Sequence, residues 1–232
     1  IEQTPTRQIA RAAGAVMLAF VLSNLAGLTR QILVAKAFGT GTEMEAFNAA
    51  NRVAETLFNL VAGGALASAF VPTFSGLLAR RHREEAWKLA SAIGNLVLLI
   101  LTISAALATI FAPQIVRYVL APGFAVDPDK EALTIQLLVL MLPSAVLFGI
   151  SGLIMGILNS HQIFFVPALT PSMYQIGMIF GVLVLSPSTG IYGLGWGVVI
   201  GAFFHLLLQI PTLLHQKGKY IFTLGFGSPS VR

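Results

Sequence analysis

Cysteine is absent from the 232 residues, and charge is scarce: only 10% of the chain is Asp, Glu, Lys or Arg. The first absence excludes disulfide frameworks and cysteine-ligated metals. The second excludes an ordinary solvated surface, since soluble domains carry about 25% charged residues. Three catalytic signatures are missing as well: a paired-histidine metal motif, a glycine-rich phosphate loop running into Lys-Ser/Thr, and an aspartate-rich pair able to hold magnesium. Enzyme chemistry therefore has no support here, and neither a metal nor a cofactor is expected. Two histidines inside the chain do not change this: His161 reads as a loop residue and His205 as an intrahelical hydrogen-bonder.

What the chain has instead is apolar length. It is 56% hydrophobic with a mean hydropathy of +0.84, and about 20 apolar helical residues cross the bilayer hydrocarbon. The fold class this implies is all-α, a polytopic membrane helix bundle of about six transmembrane helices, over residues 8–38, 43–78, 89–112, 132–158, 163–185 and 191–214. The second run would be about 54 Å long at 1.5 Å per residue, more than the roughly 30 Å hydrocarbon core. Pro72 and the small residues 62–65 are its expected bends.

The formal charge of +5 is arranged between these runs rather than as a nucleic-acid footprint, so nucleic acid is not an expected partner. Alternating the loops puts Arg7, Arg11, Arg80, Arg81, Arg83, Lys88, Lys217, Lys219 and Arg232 on one side and Lys36, Arg117 and Lys130 on the other. Cytoplasmic loops carry the excess of Lys and Arg, so both ends are expected in the cytoplasm. Trp87 reads as an interface anchor and Trp196 as a packing residue. Gly152-x-x-x-Gly156, Gly177-x-x-x-Gly181 and Gly193-x-x-x-Gly197-x-x-x-Gly201 read as close helix contacts.

Two arginines remain, and both fall inside apolar runs. Arg30 shares the first with Ser23, Asn24 and Gly27, a polar patch where the helix could bend. On the second, Glu45, Asn48, Arg52, Glu55 and Asn59 step by three and four and so form one polar stripe. An arginine near the bilayer midplane costs roughly 3 kcal/mol on insertion scales, so both guanidiniums should face a wet cavity within a bundle. The planar guanidinium fork suits phosphate or carboxylate oxygens. The competing reading is structural, with Arg52 neutralised by Glu45 or Glu55 and Arg30 reaching toward an interface. The expected substrate-binding set is Asn24, Arg30, Glu45, Asn48, Arg52, Glu55 and Asn59. Glu43 and Glu45 read as solvated rather than as a cation site.

The ordered motifs also carry a resemblance. Gly27-Leu28-x-Arg30-x-Ile32-Leu33-Val34-Ala35-Lys36-Ala37-Phe38-Gly39, then Glu45-Ala46-Phe47 and Arg52, then Gly64-Ala65-x-x-x-Ala69-Phe70-Val71-Pro72, resembles the start of the MurJ/MviN lipid II flippases. Ala121-Pro122-Gly123-Phe124, Ile157-Leu158-Asn159-Ser160 and Pro167-Ala168-x-x-Pro171 continue the match. The resemblance implies one lobe of a two-lobe transporter of the multidrug/oligosaccharidyl-lipid/polysaccharide exporter superfamily. Residues 1–215 would form that N-terminal six-helix lobe and 216–232 a cytoplasmic connection to the other. It further implies a bacterial cytoplasmic-membrane protein that moves lipid II, an undecaprenyl-diphosphate saccharide, by alternating access. Arg30, Glu45 and Arg52 match basic and acidic family positions, whereas Asn24, Phe58-Asn59 and Gly63 depart from family charges and leave the site thinner in positive charge. Two other readings are an exporter of drugs or another lipid-linked glycan, and a non-transporting envelope scaffold whose polar stripe binds a partner helix.

Overall fold

The computed structural model describes residues 5–58 and 69–223, with side chains from residue 13 onward except those of 54, 57 and 58. Lipid offers no hydrogen bonds to a peptide backbone, so each apolar run closes its own N–H and C=O groups as a helix. In chain order these are α1 (Pro5–Phe38), α2 (Thr42–Phe58), α3 (Val71–Ala79), α4 (Arg83–Ile110), α5 (Ala112–Ile115), α6 (Pro128–Ser160), α7 (Phe165–Phe180), α8 (Ser186–Thr189), α9 (Ile191–Leu207) and α10 (Ile210–His215). Among the described residues, five stretches are long and apolar enough to span a membrane: 13–38, 83–110, 128–160, 165–189 and 191–215. They coincide with five of the six expected spans. The expected second span is seen as α2 and α3, and the residues between them, including Asn59 and the anticipated bend at 62–65, lie outside the described residues. Pro72 stands in the first turn of α3, where its missing N–H leaves no helical bond unmade.

The connection 114–131, expected as a polar loop, is instead mostly helical. α5 runs into a π-helical turn (Val116–Leu120) and a 3-10 turn (Pro122–Val126), and Asp127 caps α6 by accepting from the Lys130 backbone N–H at 3.1 Å. α6 is the hub of the bundle. It packs on α2, α4 and α9, and 56% of its most apolar window is buried, against 11% for α1 and for α4. Leu137, Leu138, Met141 and Leu142 of α6 meet Phe47 of α2 and Leu194 and Val198 of α9 in one apolar cluster. Leu153 and Ile157, one end further along, meet Phe70, Phe74, Trp87 and Leu101 in a second. The outer faces of α1 and α4 expose Met17, Leu18, Phe20, Ile100 and Ile103, as lipid-facing helices do.

Two of the three expected glycine faces meet where α7, with the turn after it, crosses α9, whereas Gly156 on α6 faces Val71 and Phe70. A Cβ on Gly177 would sit 2.2 Å from the Gly201 Cα, and one on Gly181 would sit 2.7 Å from the Gly197 Cα. Backbone against backbone leaves nothing that can move aside. The two tryptophans exchange their expected roles: Trp87 is 8% exposed and packs edge-on against Phe74 and stacked on His161, while Trp196 is 48% exposed. His161 stands, as expected, in the turn after α6, where it is the C-cap of that helix.

Gly177→Val should lower the stability of the intact protein by about 1–3 kcal/mol, as forced overpacking does. Gly76→Ala, with nothing within 4 Å of the added carbon, should be neutral or slightly stabilising in the same thermal melt. A second expectation concerns pH. Burial, and then the Arg83 cation, hold the His161 imidazole below its ordinary value of 6.5. The unfolded chain therefore takes up that proton first, so the stacking contribution is complete above pH 6.5 and fades as pH falls below it. Acidification from about pH 7.5 to about pH 5.5 should cost the wild type a few degrees in Tm that His161→Phe does not lose.

Candidate functional site

α1 leaves the tight turn at 39–41 in one direction and α2 in the other, and their packing partners differ. α1 lies on α7, whereas α2 lies on α6 and α9, and the two make little contact with each other. Arg30 stands nine residues before Gly39 and Arg52 eleven after Gly41. At 1.5 Å per residue those are depths of about 13 and 16 Å from the turn, so the two arginines occupy nearly the same level.

α2 divides cleanly by face. Ala46, Phe47 and Ala50 are buried against α6, while Glu45, Asn48, Arg52 and Glu55 are exposed, so the expected stripe exists over its described length. Its members have different attachments. Glu45 pairs with Lys130 at the start of α6, and Lys130 also lies 4.0 Å from the centroid of the Phe124 ring. Glu55 accepts from Asn51 Nδ2 at 2.6 Å. Arg52 is exposed, and among the described residues neither Glu45 nor Glu55 forms an ion pair with it. Asn48 is exposed, and Asn59 lies outside the described residues.

Arg30 is half-buried, and among the described residues its hydrogen bond is a weak one: Nη1 donates to the Met178 sulfur at 3.5 Å. Its Nε is buried without an acceptor. A thioether is a poor substitute for a carboxylate, and among the described residues no carboxylate forms an ion pair with this guanidinium. Asn24 is exposed and donates back to the Phe20 carbonyl at 2.9 Å, which uses one of its amide hydrogens within its own helix.

Sequence reading missed the wall opposite Arg30. On α7, Tyr174 lies within electrostatic reach of both the Arg30 guanidinium and the Glu55 carboxylate, which ties α1, α2 and α7 into one polar locus. Next to it, the Gln175 side chain lies 3.6 Å from where a Cβ on Gly27 would stand, and its Oε1 is buried and unpaired. The signal was present as Ser172-x-Tyr174-Gln175 within an apolar run. A second polar group ties α6 to α9: Ser151 Oγ lies 2.6 Å from His205 Nδ1, and Gln209 Nε2 donates to Ser151 Oγ at 2.5 Å, all three residues being buried. His205 therefore bonds between helices, not along its own. Phe148 makes edge contacts at 5.2 Å with both His205 and Tyr174, linking this lock to the wall of the cleft.

An all-helical bundle with five apolar helices of membrane-spanning length among the described residues, and with a half-buried arginine on the first of them, is a polytopic membrane protein. The particular family is shown by comparison: the chain belongs to the lipid II flippase MurJ family, whose sequence model, described as Lipid II flippase MurJ, matches residues 34–232. It is 30% identical over 199 residues to the "Probable lipid II flippase MurJ" of Buchnera aphidicola subsp. Schizaphis graminum, covering 85% of this chain and 38% of that protein. It is 31% identical over 243 residues to the protein of the same name from Synechocystis sp., covering 98% of this chain and 44% of that one. A solved structure of lipid II flippase MurJ in an inward closed conformation superposes with a TM-score of 0.75 at 29% identity, over 93% of this chain and 45% of that chain. The chain thus spans less than half the length of these relatives.

If the polar face of α2 lines water, cysteines placed one at a time at 48, 52 and 55 should react with a membrane-impermeant maleimide at least tenfold faster than cysteines at 46, 47 and 50. Equal rates on both faces would mean that the polar face is packed against protein.

Proposed function

We propose that this chain is the N-terminal lobe of a flippase that carries lipid II, an undecaprenyl-diphosphate-linked peptidoglycan precursor, from the inner to the outer leaflet of the bacterial cytoplasmic membrane. The observation that carries the reading is the Arg30 guanidinium, half-buried and, among the described residues, with its Nε unpaired and no carboxylate on it, at the level of an exposed Arg52. Membership of the family, and the names its relatives carry, support the substrate.

In this mechanism the diphosphate enters the cleft between α1 and α2 while the polyprenyl chain stays in lipid. Arg30 and Arg52 meet the phosphate oxygens with charge-assisted hydrogen bonds. Asn24 and Asn48 offer neutral donors, and Gln175 and Tyr174 add polar groups from α7. Glu55 keeps the site from binding the anion irreversibly, and Glu45, paired with Lys130, holds the outer end of α2 against α6. Residues 216–232 lead toward a second lobe, and rocking of the two lobes about the cleft gives alternating access. With Arg80, Arg81, Arg83, Lys88, Lys217 and Lys219 facing the cytoplasm, both ends of the chain are inside. Two negative charges moved outward against an inside-negative potential of about 100 mV gain about 4.6 kcal/mol, enough to drive the step without nucleotide hydrolysis.

In a lipid II flipping assay with the intact protein, Arg30→Ala combined with Arg52→Ala should reduce turnover at least 100-fold, with Arg30→Lys partly retained. Normal turnover in the double variant would remove these residues from the site.

A further inference from the structure

The end of the bundle away from the Glu45–Lys130 pair carries a second constellation that the cleft between α1 and α2 does not use. After α10 the chain turns at Lys217, whose φ of +51° lies in the left-handed region, and runs as an extended strap over α4. The strap is tied down along its length. Arg83 donates to the Gln216 carbonyl, Ile221 N–H to Ser91 Oγ at 3.1 Å, Asn95 Nδ2 to the Thr223 carbonyl at 2.8 Å, and Tyr220 O–H to Asn95 Oδ1 at 2.6 Å. Gly218 lies flat on the indole of Trp87, where a Cβ would come within 2.3 Å of the ring.

Two cavities meet at Trp87. One, of about 320 Å3, is an apolar slot between α4, α6 and the strap, with Gly94, Leu98, Leu153 and Ile154 on its walls. The other, of about 330 Å3, is rimmed by Arg83, Lys88, Lys217 and Lys219, with Glu84 as its one acid. Trp87 is 8% exposed and its indole N–H is buried without an acceptor, so the junction holds an unused donor. Gly94 and Leu98 stand seven and eleven residues past Trp87, about 10 and 16 Å deeper along α4. One leaflet of the hydrocarbon core is about 15 Å thick. Leu98 is 46% exposed, so the slot opens sideways toward lipid.

We infer that this is a binding site for one anionic phospholipid of the leaflet at this end of the bundle, with an acyl chain in the slot and the phosphate among Arg83, Lys88, Lys217 and Lys219. The occupant must have a tail at hydrocarbon depth and a negative head at the surface, which excludes a free anion, a soluble peptide and a zwitterionic lipid. Four cations against one carboxylate select for net negative charge. The bound lipid bridges α4, α6 and the strap, so it fastens the segment that leaves the last spanning helix to the body of the lobe. The site is independent of the flipping reaction, since it shares no residue with the α1–α2 cleft.

The test is native mass spectrometry of the intact protein in detergent, titrated with phosphatidylglycerol or phosphatidylcholine and, separately, with inorganic phosphate. Wild type should retain one more phosphatidylglycerol than Lys217→Ala/Lys219→Ala, and should prefer it to phosphatidylcholine at least tenfold at that site. Leu98→Trp, which fills the slot from its open side and leaves the basic rim intact, should lose the same lipid, and inorganic phosphate should not displace it. Lys217→Gln/Lys219→Gln provides the comparison if the alanine pair does not fold. Equal retention in all variants, equal retention of phosphatidylcholine, or phosphate competition that Leu98→Trp does not alter would each overturn the assignment.

Discussion

A guanidinium held inside a membrane bundle, with no carboxylate paired to it among the described residues, is the constraint around which this structure is arranged. Arg30 reaches Met178 with one nitrogen and leaves its Nε buried and unpaired. Such a group is costly in hydrocarbon and tolerable only where water or an anion reaches it. α1 and α2 separate after their shared turn and find different packing partners. An ion pair between Arg52 and Glu55 would have closed the question locally, but Glu55 is held by Asn51 instead. Arg30 and Arg52 therefore hold positive charge at similar depth along α1 and α2, with Glu55 as the nearby acid of the α2 face.

Rigidity behind the cleft comes from close helix contact rather than from large side chains. The glycine faces of α7 and α9 touch backbone to backbone, and this fixes the register of Tyr174, Gln175 and Met178 relative to α1. Lipid tails are as apolar as leucine, so such contact must rely on dispersion and interhelical hydrogen bonds. The Ser151–His205–Gln209 group supplies the latter between α6 and α9, each bond contributing about 0.6 kcal/mol on average in membrane interiors. Phe148 then connects that group to Tyr174. α6, the most buried spanning helix, joins both apolar clusters and so transmits position from one end of the lobe to the other.

The two ends of the bundle treat charge differently. At one end the charges are paired: Arg117 binds Glu131 through two nitrogens at 2.9 and 3.0 Å, and Lys130 binds Glu45. At the other, Arg83, Lys88, Lys217 and Lys219 gather around a cavity with a single acid. Paired charge fastens helix ends, whereas an excess of one sign recruits a counter-charge from outside the chain. The same contrast separates Glu45, which had been read as part of the binding stripe and is tied to Lys130, from Arg52, which is not tied to it.

Five spans, the small-residue faces of α7 and α9 and the polar face of α2 were all legible from residue order, because hydrophobic length, small-residue spacing and helical periodicity are local properties of the chain. Partner identity was not. Which aromatic is buried, that Gly149 lies against Leu101 of α4, and that His205 reaches Ser151 rather than its own helix depend on residues more than 40 positions apart. The same holds for Arg30: its place inside the membrane follows from the apolar run around it, but Met178, Tyr174 and Gln175 come to it only when α7 docks on α1. Periodicity says which face of a helix is polar, and only packing says what that face meets.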